Sequence, residues 1–203
     1  MANKIQIINL ALRRIGESTI GDIDEGSKAA NVMKDIYDLL LETELRQWPF
    51  TWATTTQELA QLTTEEPPDF AYAFALPSNY LQFIKLLDTQ TGSTFSLYEP
   101  WYDQYKTNYN EFEVRENKLY TNYSEVTMKY IYLQEDTSKW DASFVDAFAW
   151  KLAQESAIPI AGRDDQMQNA FNQYLVSINK ARASSGSETR RSTELGTKFV
   201  RAR

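Results

Sequence analysis

Leu45-Arg46-Gln47-Trp48-Pro49-Phe50-Thr51-Trp52-Ala53-Thr54-Thr55-Thr56 is the stretch where the chain changes its period, and its reading decides the fold. Before it, apolar residues recur at helical spacing. After it, threonine and tyrosine become dense and short alternating runs replace the helical pattern. Pro49 stops the upstream helix, because the residue before a proline avoids the helical region. Trp48, Phe50 and Trp52 then place three large aromatics at the changeover, where they plug the junction between a helical part and a β-rich part rather than form a ligand platform.

Upstream, the helix that ends at this junction starts near Ser27, a good N-cap, and runs to about Gln47. Its inward stripe is read as Val32, Met33, Ile36, Leu39, Leu40 and Thr43, with Asp35, Asp38, Glu42 and Arg46 on other faces. An earlier helix over residues 3–15 carries Ile5, Ile8, Leu12 and Ile15. Arg13 and Arg14 sit near its end, where the dipole favours them, and Gly16 is placed to stop it. Glu17 to Gly26, with two glycines and two aspartates, reads as a loop.

Downstream, strands are expected at about 51–58, 71–76, 82–87, 94–98, 112–114, 118–122 and 126–133. In the last, Val126, Met128, Tyr130 and Tyr132 alternate with Thr127, Lys129, Ile131 and Leu133. Glu116-Asn117-Lys118 reads as a hairpin tip and Leu76-Pro77-Ser78-Asn79-Tyr80 as a turn. Pro100 to Tyr109 fits a short helix with Trp101, Tyr102 and Tyr105 on one side. Residues 141–158 return to helix, capped by Asp141, with Phe144, Val145, Phe148, Ala149, Leu152 and Ile158 inward. Pro159 and Gly162 break the chain. Asp164 or Asp165 then opens a final helix to about residue 183, with the stripe Met167, Ala170, Phe171, Tyr174, Leu175 and Ile178. From Ser184 the chain reads as a polar, small-residue linker unable to form a core, ending in Lys198-Phe199-Val200-Arg201, two apolar residues among bases.

The fold class that follows is α+β. Residues 1–50 and 138–183 form a four-helix body, residues 51–137 a β-rich insertion, and residues 184–203 a flexible basic arm. Hydrophobic residues are 42% of the 203 and aromatics 13%, enough for a sizeable core. Cysteine and histidine are both absent, which removes disulfides, thiolate or imidazole metal sites and the commonest general base. No apolar run approaches the roughly 20 residues of a membrane span. No signal-peptide layout is present either, so the chain is expected to be made in a cytoplasm. Net charge is −7, unevenly spread. Seven bases and two acids from Lys180 to Arg203 make that end +5, which leaves −12 on the body. An acidic body disfavours adventitious nucleic-acid binding, and a basic end suggests an acidic partner surface.

Chemistry has little to stand on. Neither GxxxxGK[ST] nor GxGxxG occurs. Asp22, Asp24 and Glu25, then Glu65 and Glu66, then Asp164 and Asp165, are carboxylate groups, and a glycosidase needs two carboxyls roughly 5–10 Å apart across a cleft. Their plainer readings are a solvated loop and a helix N-terminus that favours acids. The first group lacks the ligand spacing of a calcium loop. Tyr98, Trp101, Tyr102, Tyr105, Tyr109, Phe112, Tyr120 and Tyr123 form an aromatic run that divides between β-domain core and oligomer interface. No catalytic residue, cofactor or metal is assigned.

Several segments, in order, resemble the tail tubular protein A family of short-tailed bacteriophages, the adaptor ring below the portal. They are Ile8-Asn9-Leu10-Ala11-Leu12-Arg13-Arg14-Ile15-Gly16-Glu17, the loop Asp22 to Gly26, and the second helix ending in Trp48-Pro49-Phe50. Leu76-Pro77-Ser78-Asn79-Tyr80-Leu81 before a strand is similar to that family's β region, and the acidic turn with Trp140 to its return to helix. The resemblance implies a structural virion protein. It would form a dodecameric head-to-tail adaptor ring, bound to the portal protein above and the tail nozzle protein below, around a channel through which genomic DNA passes without specific binding. It implies assembly in the host cytoplasm, a place in the virion tail, and no membrane partner. Arg190, Arg191, Lys198, Phe199, Val200 and Arg201 would then be a portal-binding arm, and Trp101, Tyr102 and Tyr105 interface aromatics. Some members of the family are said to hydrolyse envelope sugars. The alternatives are therefore a polysaccharide or peptidoglycan hydrolase of the virion, or a carbohydrate-binding module using the aromatic run.

Overall fold

The computed structural model describes residues 2–64, 69–88, 94–96 and 112–188. In order, its main elements are α1 (Lys4–Arg14), α2 (Lys28–Gln47), β1 (Thr54–Glu58), β2 (Tyr72–Ala75), β3 (Tyr80–Asp88), β4 (Thr94–Ser96), β5 (Phe112–Arg115), β6 (Lys118–Thr121), β7 (Val126–Tyr132), α3 (Ala142–Ser156) and α4 (Asp164–Ser187). The fold is α+β, with the strands placed between two helical pairs.

The start of α1 is a capping box. The Gln6 amide donates to Asn3 Oδ1 at 2.8 Å, and the Asn3 amide donates to Gln6 Oε1 at 2.9 Å. Its end is a Schellman motif. Gly16 sits at φ +77°, its amide donates to the Arg13 carbonyl at 3.1 Å, and the Glu17 amide donates to Leu12 at 2.9 Å. Ile15-Gly16-Glu17 is thus a helix stop whose middle residue must be left-handed, a conformation that costs most side chains about 1–2 kcal/mol. The following loop is tied back. Asn9 donates to the Ile20 carbonyl and accepts from its amide, at 2.9 and 2.8 Å, which buries Ile20 against α1.

Ser27 caps α2 by accepting from the Ala30 amide at 3.2 Å. The inward stripe of α2 differs from the expected one. The buried residues are Ala30, Met33, Tyr37, Leu41, Glu44 and Leu45, whereas Leu39 is 66% exposed and Thr43 is also exposed. The face is rotated because Tyr37 packs its ring edge-on against Phe148 and Glu44 accepts from Tyr174 at core positions.

At the junction Phe50 is buried and stacks on Trp52 at 5.4 Å. Both rings meet Phe144, at 4.9 and 4.8 Å, so the aromatic plug read from the sequence is present. Residues Thr51–Ala53 form a 3-10 turn, and β1 begins only at Thr54.

The strands make two antiparallel sheets, ordered β1-β7-β3-β4 and β2-β6-β5. Phe83, Leu86, Val126, Met128 and Tyr130 of the first sheet and Phe74 and Leu119 of the second build one core. Leu81, Ile84 and Ile131 instead join the helical core. Neighbours Phe83 and Ile84 serve different cores because successive strand side chains point to opposite faces, and the register shift between Phe83 and Lys85 returns Leu86 to the core of Phe83. The β5–β6 hairpin turns on Glu116 and Asn117, both at positive φ (50° and 61°), the twist that a two-residue hairpin favours.

Asp141 caps α3 through the Ser143 amide at 2.6 Å. This helix is central: it packs against α1, α2 and α4. A π turn over Ala157–Ala161 and Gly162 at φ +65° lead into α4. The buried face of α4 is Ala170, Tyr174, Ser177, Ile178, Ala181 and Ser185. Phe171 and Leu175, expected inside, are exposed, because a close approach to α3 selects small side chains along the contact. The helix also runs past the expected linker start. Ser184 to Ser187 are helical, and buried Ser185 accepts from the Thr51 amide at 3.0 Å.

Candidate functional site

Arg190, Arg191, Lys198, Phe199, Val200 and Arg201 lie outside the described residues, as do Trp101, Tyr102, Tyr105 and the expected helix from Pro100 to Tyr109. The expectations built on them concern surfaces that the described part must complement. Of the aromatic run, Phe112 stacks on Phe83 at 4.5 Å, Tyr120 is buried and stacks on Phe70 at 6.4 Å, and Tyr123 packs against the sheet core. Tyr120 belongs to the interior, and Phe112 and Tyr123 lie half-buried against the sheet core.

The carboxylate groups resolve into local structure. Glu25 accepts from the Gly21 and Asp22 amides at 2.8 and 3.3 Å, Asp22 accepts from the Asp24 amide at 2.8 Å, and Asp24 pairs with Lys34 at 2.6 Å. Its hydrogen bonds, with Ser27 first, hold the Glu25 carboxyl below its usual pKa. The loop is a set of self-satisfied turns leading into α2. Asp164 and Asp165 are exposed in the first turn of α4. Glu65 and Glu66 lie outside the described residues. Among the described residues no cluster of three or more acidic side chains could hold a metal ion.

Two polar belts between helices were not legible as sites. In the first, the Arg14 guanidinium of α1 donates to the Asp146 carbonyl at 2.8 Å and to its carboxylate. Ser177 of α4 donates to the other carboxylate oxygen at 2.7 Å, and Arg14 lies 4.0 Å over the Trp150 ring. Three helices meet at one carboxylate.

The second belt centres on Glu44, which is only 2% exposed. Tyr174 Oη donates to its Oε2 at 2.6 Å, while its Oε1 has no hydrogen-bond partner. Burial raises the Glu44 pKa, opposed by the Tyr174 bond and the charges of Lys151 and Arg182. Burial and the same bond push the Tyr174 phenol up. A raised carboxyl beside a tyrosine is a pattern of acid–base sites. Here the pair is enclosed between α2, α3 and α4, where a polymeric substrate cannot reach it, so it serves to fix the register of those helices.

Because the folded pKa of Glu44 lies above the unfolded value, its contribution to stability falls as pH rises from about 4.3 through that raised value. Tyr174→Phe removes the bond that favours the charged form. The expected loss is about 1–3 kcal/mol at neutral pH, and less below pH ~4, where Glu44 is neutral in both states. Urea unfolding at both pH values measures this; equal losses would mean that the ionisation of Glu44 plays no part.

The outward surfaces are plainer. Phe171, Leu175 and Val176 of α4 are 38%, 41% and 51% exposed. Between Gln166 and Asn179 this helix carries no charged residue, although charged residues make up 24% of the chain. Depletion of charge around exposed apolar side chains is the composition of an interface core. No protein-family model matches the chain, and no curated protein is similar to it.

Proposed function

We propose that this chain is a head-to-tail adaptor of the short-tailed bacteriophage type, a structural subunit that associates side by side into a ring between portal and tail nozzle. The observation that carries the reading is the order of elements at the N-terminal end: α1 closed by Ile15-Gly16-Glu17, an acidic loop tied to α1, then α2 closed by Trp48-Pro49-Phe50 at the entry to the strands. That order is the pattern by which the sequence resembles the tail tubular protein A family. A rigid joint between helices and sheets suits such a subunit, since a ring wall must hold its inserted sheets at a fixed angle. Trp52, Phe50, Phe144 and Trp140 supply that joint. The acidic body suits a DNA channel, because a negative wall lets DNA slide without adhering. In such a ring each interface uses two different patches.

The test is the mass of the assembly. Alone, the chain is expected to run as a monomer in light scattering. Mixed with the portal protein of the same phage, it should add one copy per portal subunit and appear as an extra ring in electron micrographs. A mass unchanged by portal at micromolar concentrations would sink the proposal.

A further inference from the structure

The outward face of α4 has an order of its own. Asp164, Gln168, Phe171 and Leu175 follow one another along one stripe, and Asp165, Asn169, Asn172 and Val176 along the next. Each stripe begins with an acid, passes through amides and ends in an apolar side chain. Neither Asp164 nor Asp165 has an ion-pair partner among the described residues. Read from Leu175 back toward Asp164, the face is apolar first and acidic last. Residues 199–203, Phe-Val-Arg-Ala-Arg, are apolar first and basic last.

We propose that this face is the docking surface for the chain's own C-terminal segment, residues 196–203, in the free subunit, with that segment running antiparallel to α4. The lengths agree. Leu175 lies about 20 Å back along the helix from Glu188, while the eleven residues from Glu188 to Phe199 span up to about 36 Å. Phe199 and Val200 cover Phe171, Leu175 and Val176. About 10 Å separates Phe171 from Asp164 along the helix, and three extended residues from Val200 to Arg203 cover the same distance. Arg203 therefore arrives beside Asp164 and Asp165, and Arg201 lies over the amides between them and the apolar end. Burial of the two apolar side chains works against the entropy cost of ordering the segment. Docking is therefore marginal and easily displaced by a better acceptor. The inference concerns the isolated chain and stands whether or not the adaptor reading holds.

The chain has no cysteine, so an introduced pair reports contact without background. In the full-length chain, Leu175→Cys with Val200→Cys is oxidised mildly at low protein concentration and compared with Leu39→Cys with Val200→Cys, which joins the tail to exposed α2 surface. Within single chains, the first pair is expected to close at least about fivefold faster than the second, a ratio set by effective concentration. Adding Phe199→Asp to the first pair should slow it to the control rate. Equal rates for the two pairs, indifference to Phe199→Asp, or disulfide-linked dimers as the main product would each overturn the proposal; the last would assign the face to a second copy.

Discussion

Phe144→Ala is expected to cost about 3–5 kcal/mol of folding stability, the range for truncating a fully enclosed aromatic ring. Phe144 has no exposed surface. Its ring lies 4.9 Å from Phe50, 4.8 Å from Trp52, 5.3 Å from Trp140 and 5.9 Å from Phe148. Those residues come from the segment that leaves α2, the segment that leaves β7, and α3 itself. One side chain therefore holds both crossings of the chain between helices and sheets. Domains are stable by only about 5–15 kcal/mol, so the loss is a large fraction of the whole. Urea unfolding should show the midpoint falling, with helical ellipticity and the near-ultraviolet signal of Trp52 and Trp140 lost in one transition. Phe144→Leu keeps more of the volume and should cost less than the alanine change. A loss below about 1 kcal/mol for Phe144→Ala would mean that the joint relaxes around the cavity and is not rigid.

The sequence made the strands legible because one face of each is buried and a two-residue period survives any packing. Val126, Met128 and Tyr130 are inside as their alternation requires, and Glu116-Asn117 turns the hairpin where it was read. Helix ends were legible too, since Ser27 and Asp141 cap by local chemistry and Gly16 needs a left-handed backbone. What misled was reading helix faces by hydrophobicity alone. In α2 the core takes Tyr37 and Glu44, whose polar character pointed the stripe toward Leu39. In α4 the contact with α3 takes Ala170, Ser177, Ala181 and Ser185, so the larger Phe171 and Leu175 are left outside. Both errors have one cause: shape and hydrogen bonding at a close helix contact outweigh apolar area. The Glu44–Tyr174 pair joins residues 130 positions apart, and no local pattern announces it. Ser184 to Ser187 read as linker for the same reason, because serine is ordinary in a linker and its bond to Thr51 appears only in the fold.

The helical stretch Ser184 to Ser187 decides how the proposed portal-binding arm must be tested. A cut before Ser184 removes Ser185, which accepts from the Thr51 amide at 3.0 Å, and Glu188, which accepts from the Thr51 hydroxyl at 2.5 Å. Such a chain is expected to lose about 1–2 kcal/mol of stability, and any fall in portal binding could then reflect a loosened junction. A cut after Glu188 keeps those bonds and removes Arg190, Arg191, Lys198, Phe199, Val200 and Arg201. It should melt within a few degrees of the full chain, since it keeps both bonds to Thr51. Its affinity for portal is nevertheless expected to fall about tenfold or more. Burial of Phe199 and Val200, together with the basic contacts, must outweigh the cost of ordering the arm for it to grip at all, and each ~1.4 kcal/mol of surplus is a factor of ten. The basic side chains add a salt-dependent share, so raising ionic strength should weaken the full chain more than the shortened one. Equilibrium binding of both chains to purified portal, at two salt concentrations, separates these terms. If the chain cut after Glu188 binds portal with undiminished affinity, the arm is not the grip, and the contact must be made by the folded body.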